Sequence, residues 1–122
     1  IPPPNLGNDL PNPPHRRNTE STMNPYLVAE IGCNHCGDLD IARKLIRTAA
    51  VFCEVPCVKF QKRTPREMLS PAEFDGPHPD PRNAYGPTYG AHRDFLELSL
   101  DQHRLLRDCC AENNIAYACS VW

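Results

Sequence analysis

Three side chains that could do chemistry lie in two short apolar stretches of the sequence. Glu30 is near the end of the stretch 26–31, and Lys59 and Gln61 alternate with apolar residues in the stretch 57–61. A carboxylate can transfer a proton, and an ammonium group beside an amide can hold an anionic substrate. Such chemistry requires that the two stretches lie side by side, so the elements around them decide whether it is possible.

After a proline-rich start, the sequence predicts alternating strands and helices. The strands are expected at 26–31, 57–61 and 115–122, and the helices at about 39–53 and 100–113. Asp38 is the predicted N-cap of the first helix, and Ser99 with Gln102 suits a capping box for the second. This alternation is typical of parallel strands joined by right-handed crossovers.

Two amphipathic stripes predict which helix faces are buried. The stripe of the first helix is Ile41, Leu45, Ala49 and Phe52, and that of the second is Leu105, Leu106, Cys109 and Cys110. Between the second strand and the second helix, residues 62–95 are rich in proline. We expect a long irregular segment there, with a short helical turn around 65–74, because prolines interrupt regular structure.

Alternation along the strands assigns the side chains to two faces. Val58 and Phe60 point one way, and Lys59 and Gln61 point the other. In a (β/α)₈ barrel the outward strand face packs on helices, whereas the inward face opens on the active site at the carboxyl ends of the strands. The sequence therefore predicts an α/β fold with parallel strands. In a TIM barrel these would be the first three strand–helix units, with the barrel truncated before closure. Glu30 would project inward beside Lys59 and Gln61.

A structural ion pair is the alternative interpretation of the two charges. Glu30 and Lys59 would then be buried together, although the desolvation of such a pair can exceed its Coulomb gain. Charged groups are rarely buried without a partner or a function. Both charges lie at strand ends, where these folds place their sites, so we favour the functional interpretation.

The loop 32–37 combines a CxxC pair with a histidine. A zinc site would need a second ligand pair at suitable spacing, but Cys109 and Cys110 are adjacent in a predicted helix. A redox site would place the CxxC at the start of a helix in another strand order. We therefore predict no metal ligands in this chain. His35 is either a polar group at the mouth of the first strand or a surface loop histidine.

The segment 85–93 is a candidate substrate lid. It is rich in turn-forming residues and in hydrogen-bonding side chains, among them Tyr89 and His92. Functional loops of this kind run over the surface next to a site. An exposed linker is the alternative, and spacing alone does not separate the two.

Composition limits the partners and the compartment. A net charge of −2 and a pI near 6.2 argue against nucleic-acid binding, and no apolar run approaches the roughly 20 residues of a membrane helix. No signal-peptide pattern opens the sequence. Several of the seven cysteines lie in predicted strands and helices, as expected of core thiols in a reducing cytoplasm: Cys53, Cys57, Cys109, Cys110 and Cys119.

The chain divides into two parts by composition. Residues 1–24 are rich in proline and poor in apolar side chains. Such a segment cannot bury enough apolar surface to offset its chain entropy, so we predict a disordered arm. Residues 25–122 form the predicted α/β domain.

Several motifs in order resemble the N-acetylneuraminate (sialic acid) synthase family. They are AEIG at 29–32 followed by Asn34 and His35, VKFQK at 58–62, TYG at 88–90 followed by His92 and Arg93, LELS at 96–99, and DQ at 101–102. The similarity runs from about Tyr26 to Trp122. Because the motifs are separate and in the family's order, the resemblance is specific.

The resemblance implies a condensation of phosphoenolpyruvate with N-acetylmannosamine, or its 6-phosphate, to give N-acetylneuraminate and phosphate. It implies that Glu30 assists proton transfer at the reacting end of the sugar. It further implies a set of substrate-binding residues, namely Lys59, Gln61, Asn34, His35, Tyr89 and His92. A divalent metal, Mn²⁺ or Mg²⁺, is expected on ligands in the family's later strands, and the family's proteins are expected to be homodimers.

Three positions depart from the family pattern. Cys36 stands where Asn, Gln or Glu is usual, and Ala91 replaces the glutamate of TYGEH. The segment 54–56 replaces a turn that contains glycine, at an expected cost of about 1 kcal/mol. The family's later strands and its antifreeze-like domain would follow Trp122, so we expect this chain alone to be inactive. The alternative function is a catalytically inactive fragment that acts as an interaction module.

Overall fold

The computed structural model describes residues 24–122. The strands are β1 (Val28–Gly32), β2 (Cys57–Lys62) and β3 (Ala116–Val121). The helices are α1 (Leu39–Val51), α2 (Pro65–Met68), α3 (Pro71–Asp75), α4 (Tyr89–Leu96) and α5 (Leu100–Glu112), with a 3₁₀ turn at Pro81–Asn83. The predicted arm at 1–24 lies outside the described residues, except for its last residue.

The three strands form one parallel sheet in the order β1-β2-β3. Glu30 pairs with Lys59, which pairs in turn with Ala118, and Gln61 pairs with Ser120. The register between β1 and β2 shifts between Glu30 and Gly32, where β1 ends. The parallel arrangement that the alternation of elements predicted is thus confirmed for the described residues.

Helix α1 begins as expected, but its buried face differs from the predicted stripe. The carboxylate of Asp38 accepts hydrogen bonds from the N–H groups of the first turn, at 2.7 and 2.9 Å. The buried residues are Ala42, Ile46 and Ala49, whereas Phe52 is 82% exposed. The predicted stripe is confirmed at Ala49 and wrong at Ile41, which is exposed, and at Phe52, which is the C-cap residue beyond the last turn of the helix.

Helix α5 has the predicted capping box. The Ser99 N–H donates to Gln102 Oε1 at 2.8 Å, and the Gln102 N–H donates to Ser99 Oγ at 3.2 Å. Leu106, Cys109 and Cys110 are buried as predicted, but His103 takes the place expected for the exposed Leu105.

The segment 62–95 is irregular only in part. The helical turn expected around 65–74 is confirmed as α2 and α3, and residues 76–88 are irregular apart from the 3₁₀ turn, but helix α4 was not predicted. Pro65 and Pro71 occupy the first turns of α2 and α3, where a missing N–H removes no helical hydrogen bond. The Thr88 hydroxyl accepts a hydrogen bond from the Ala91 N–H at 3.1 Å and so starts α4.

The core lies between the sheet and helices α1 and α5. Its central members are Ile46, Val58, Phe60, Leu98 and Leu106, and Cys109 and Cys110 pack with them. Burial raises the pKa of the Cys110 thiol to about 12. Cys53, which was predicted to be a core thiol, is exposed because it follows the end of α1.

The turn between α1 and β2 contains the expected strain. Glu54 has a φ of 51°, a left-handed conformation that costs a residue with a side chain roughly 1–2 kcal/mol. This is the turn in which the family's glycine is missing.

Within the described residues, no helix is long and apolar enough to cross a membrane.

Candidate active site

The two faces of β2 have opposite surroundings. Val58 and Phe60 are fully buried against α1 and α5, whereas Lys59 and Gln61 lie on the other face and are only half-buried. Because paired residues of parallel strands point to the same side, Glu30 of β1 shares the face of Lys59. The face assignment made from the sequence is confirmed.

Lys59 and Glu30 form an ion pair on this open face. Lys59 Nζ lies 2.7 Å from Glu30 Oε2, and the two side chains are 39% and 45% exposed. The ion pair considered from the sequence therefore forms, but in the described residues it is half-exposed and not buried. An ion pair this exposed contributes only about 0–1 kcal/mol to stability, so its stabilising effect is small, and both groups can be reached by a ligand.

The Gln61 amide lies close to the same ion pair, because Gln61 and Glu30 both lie beside Gly32. A Cβ built on Gly32 would lie 3.5 Å from Glu30 Oε1 and 3.6 Å from Gln61 Nε2. Gly32 has a φ of 54°, which glycine adopts without strain. The turn that ends β1 therefore passes beside a carboxylate, an amide and an ammonium group that were predicted to lie together.

Arg63 belongs to this cluster and was missed from the sequence. One guanidinium nitrogen donates to Gln61 Oε1, and the other lies 3.3 Å from Cys33 Sγ. The Cys33 thiol also lies within 3.9 Å of Gln61 Oε1. The alternation 59, 61, 63 could have identified Arg63, because the open face continues one step beyond the end of the strand.

A second pair, on the other side of the same strand end, was also missed. Lys62 Nζ lies 2.9 Å from Glu97 Oε2, and the side chains are only 24% and 13% exposed. Glu97 Oε2 also accepts the Arg63 N–H at 2.9 Å, while Lys62 Nζ donates to the Arg63 carbonyl at 2.7 Å. Glu97 is the C-cap residue of α4, so it links this helix to the end of β2.

Asn34 and His35, the candidate site residues in the loop between β1 and α1, make contacts that stabilise this loop. Asn34 Nδ2 donates to the Ile31 carbonyl at 2.9 Å. His35 is 2% exposed, accepts the Gly37 N–H at 3.0 Å, and packs on Phe60 with the ring centroids 6.2 Å apart. Burial lowers the pKa of His35, although nearby Glu97 partly opposes this. The surface-loop interpretation of His35 is wrong, and its ring lies with Phe60, not on the open face.

Tyr89 and His92 lie on helix α4 and not on an irregular lid. The His92 ring lies 4.3 Å from that of His78, and both stack near Tyr89. His92 Nδ1 accepts the Tyr85 N–H at 3.2 Å. These contacts form a separate aromatic cluster, which the structure does not bring into contact with Glu30, Lys59 or Gln61.

Metal-ligating side chains are dispersed in this part of the chain. Among residues 24–122, no three His, Cys, Asp or Glu side chains converge as an ion would require. Cys33 and Cys36, the CxxC pair, are free thiols. The Mn²⁺ or Mg²⁺ that the resemblance implies stays an expectation for the whole protein.

The fold and site together define a class. Parallel strands with helices on one face, and an acid, a cation and an amide at their carboxyl ends, are typical of α/β enzymes that bind ligands at this edge of the sheet. A family comparison agrees, since residues 45–122 match the model of the NeuB family. The chain belongs to the NeuB family.

Curated relatives and a solved structure extend this assignment. The N-acetylneuraminate-9-phosphate synthases of Mus musculus and Homo sapiens are 37% and 38% identical over 78% of this chain. That of Drosophila melanogaster is 38% identical over 79% of it. The chain spans about a quarter of the length of these relatives, at 25–26%.

The structural comparison concerns the fold alone. An N-acetylneuraminic acid (sialic acid) synthetase from Leptospira borgpetersenii serovar Hardjo-bovis superposes with a TM-score of 0.60 and 24% identity. The match covers 81% of this chain and 30% of that protein. The parallel three-stranded arrangement of this chain is thus also present in part of a sialic acid synthetase.

Proposed function

We propose that this chain is the amino-terminal part of a TIM-barrel sialic acid synthase. The reaction condenses phosphoenolpyruvate with N-acetylmannosamine, or its 6-phosphate. The methylene carbon bonds to the sugar's aldehyde carbon, water adds to C2 of the former phosphoenolpyruvate, and phosphate leaves. The observation that carries the proposal is the convergence of Glu30, Lys59 and Gln61 beside Gly32, in a chain of the NeuB family. Relatives that are named for this synthesis support the choice of reaction.

Glu30 is the proposed proton-transfer group. When the methylene carbon of phosphoenolpyruvate bonds to the aldehyde carbon of the sugar, the aldehyde oxygen must gain a proton to become a hydroxyl. A carboxyl group placed at that oxygen can supply it. Glu30 is accessible enough for this role, since its side chain is 45% exposed in this chain.

Lys59 and Gln61 are the proposed substrate-binding groups on β2. Phosphoenolpyruvate carries a carboxylate and a phosphate, and an ammonium group and amide N–H groups stabilise such anions. Lys59 would exchange part of its contact with Glu30 for the anion. Asn34, His35, Tyr89 and His92 stay predicted substrate-binding residues. To reach the open face, His35 would have to leave its buried position against Phe60, and Tyr89 and His92 would need the α4 cluster to approach.

The remaining expectations are proposals for the whole protein. A divalent metal would polarise the sugar aldehyde from ligands outside residues 24–122. A homodimer and a cytoplasmic location are further proposals. The cytoplasmic location is supported by Cys57, Cys109 and Cys110, which are buried free thiols that act as small apolar side chains.

The test is an assay of the protein expressed from its complete reading frame. We expect phosphate release from phosphoenolpyruvate only when an acceptor sugar is added, and loss of that release after chelation with recovery on adding Mn²⁺ or Mg²⁺. Comparing N-acetylmannosamine with its 6-phosphate identifies the acceptor. Phosphate release that does not depend on either sugar would contradict the proposal.

A second function, an inactive interaction module, applies to the 122-residue chain alone. β3 lies at one edge of the described sheet. An uncovered strand edge favours pairing with further protein. We expect the isolated chain to release no phosphate in the same assay, and acceptor-dependent release by it would contradict this.

A further inference from the structure

The orientation of the Gln61 amide determines what this site can bind. A glutamine side chain offers an acceptor oxygen on one side and a donor NH₂ group on the other. When nothing restrains this amide, it can flip so that the two groups exchange places. If the NH₂ group faces the open sheet, Gln61 can donate to an oxygen of a ligand. If the oxygen faces the open side of the sheet, it would repel an anionic ligand instead.

Arg63 decides between the two orientations. A guanidinium group has only donors, so the Gln61 atom that contacts it must be the acceptor oxygen Oε1. The Cys33 thiol lies on the same oxygen. The NH₂ group is thereby turned away from Arg63 towards Gly32 and Glu30, where Nε2 lies 3.6 Å from the position of a Gly32 Cβ.

The backbone of Arg63 is itself held on both sides. Its N–H donates to Glu97 Oε2 at 2.9 Å, and its carbonyl accepts from Lys62 Nζ at 2.7 Å. Lys62 and Glu97 are in turn paired with each other, and both are mostly buried. The guanidinium group therefore extends from a fixed point, and its second contact with Cys33 at 3.3 Å limits its rotation.

We propose that Arg63 is a positioning residue that fixes the Gln61 amide with its NH₂ group towards the ligand. Lys59 and Gln61 then present donors, and Glu30 presents its carboxyl group, around one space next to Gly32. This arrangement suits a ligand with anionic oxygens beside a hydroxyl or aldehyde oxygen. The proposal deepens the proposed function and rests on it only for the identity of the ligand.

A double-mutant cycle in the complete protein tests this role. We expect Arg63→Ala to lower kcat/KM for phosphoenolpyruvate by roughly 3- to 10-fold, the range of one hydrogen bond, chiefly through KM. In a Gln61→Ala background the same substitution should change kcat/KM by less than about 2-fold, because no amide is left to orient. Equal losses in both backgrounds would mean that Arg63 acts on the anion directly, and would overturn the proposal.

Two further variants distinguish an effect of the position of the Arg63 guanidinium group from an effect of its charge. Arg63→Lys keeps the charge but cannot donate to Gln61 and Cys33 from one rigid fork, so we expect it to recover only part of the lost kcat/KM. Full recovery would show that charge alone matters. Arg104→Ala on the exposed face of α5, whose partner is Asp101, is the matched control and should leave kcat/KM within about 2-fold of the unchanged protein.

A measurement on the 122-residue chain tests the geometry without any activity. In the nuclear magnetic resonance spectrum, the Gln61 NH₂ protons, assigned by their loss in Gln61→Glu, should show nuclear Overhauser contacts to Gly32. Arg63→Ala should weaken these contacts, and Arg104→Ala should not. Contacts that persist unchanged in Arg63→Ala would overturn the proposal. If the kinetic assay shows no synthase reaction at all, this spectrum still decides the role of Arg63.

Discussion

The two faces of β2 differ in what they do, although their residues alternate along one strand. On the helix side, Val58 and Phe60 are fully buried in the core. On the open side, Lys59 forms a half-exposed ion pair with Glu30, and Gln61 is held by Arg63. A step of one residue along the strand separates an environment that stabilises the fold from one that can bind a ligand.

This difference implies that stability and activity can be altered separately. Fully burying a phenylalanine side chain stabilises a protein by about 1.5–3 kcal/mol, whereas an exposed ion pair contributes about 0–1 kcal/mol. Substitutions on the helix side should therefore unfold the protein before they affect chemistry. Substitutions on the open side should do the reverse.

The largest expected effect comes from Glu30 on the open side. In the complete protein, Glu30→Gln should lower kcat by about 10²- to 10⁴-fold, because the amide cannot transfer a proton. In the 122-residue chain, the same substitution should change the free energy of unfolding by less than about 1 kcal/mol, since the lost ion pair is half-exposed there. Synthase assays and urea denaturation measure the two quantities. Asp101→Asn on α5 is the control acid, and an equal loss of kcat there would contradict a specific role for Glu30.

The next effect comes from the helix side of the same strand. Phe60→Ala should lower the free energy of unfolding by about 3–5 kcal/mol, because the ring is fully buried and stacks on Tyr117 with the centroids 5.7 Å apart. Lys59→Ala, one residue away, should cost less than about 1 kcal/mol. Urea denaturation of the 122-residue chain compares them. Similar costs for both would contradict the division of the strand into two faces.

The sequence was sufficient to predict the parts of the molecule that follow from local pattern. The period-two alternation of β2 assigned Phe60 and Lys59 to the correct faces, and the capping groups Asp38 and Ser99 marked where two helices begin. The alternation along β1 and β2 also placed Glu30, Lys59 and Gln61 on one face of the sheet. These predictions succeeded because each depends on only a few neighbouring residues.

Other features depend on contacts between distant residues and were not predicted. The pairing of Lys62 with Glu97 joins positions on different elements, so no spacing along the chain indicates it. Helix α4 was taken for a loop because the prolines before it dominate the pattern, although Thr88 caps it. The aromatic cluster around His92 depends on His78, from the irregular segment before α4, lying against that helix, and no spacing along the chain indicates this contact.

A smaller effect should appear as a pH dependence of the free energy of unfolding, through two histidines on the helix side of the sheet. Burial lowers the pKa of His35 and, together with the nearby Lys62, that of His103, while Glu97 opposes this in both. Unfolded histidines titrate near pH 6.5, so below about pH 6.5 the unfolded chain binds more protons than the folded one. The stabilisation is complete above that pH and is lost as the pH falls towards the folded-state pKa.

The measurement is urea denaturation at about pH 7.5 and about pH 5.5. We expect the free energy of unfolding to fall by at most about 1.4 kcal/mol per pH unit for each of the two histidines. His103→Leu should weaken this dependence, even though it removes the partner of the Tyr117 hydroxyl, 2.7 Å from His103 Nδ1. An unchanged pH dependence in His103→Leu would exclude His103 as a source of it.

The smallest effect should come from the turn between α1 and β2, which belongs to neither face. Glu54 has a φ of 51°, so Glu54→Gly should raise the free energy of unfolding by about 0.5–1 kcal/mol through relief of backbone strain. Glu54→Ala removes the same carboxylate but keeps a Cβ, and should give no such gain. Thermal denaturation of the two variants isolates the backbone contribution. If alanine stabilised as much as glycine, the gain would come from the lost charge and not from the left-handed conformation.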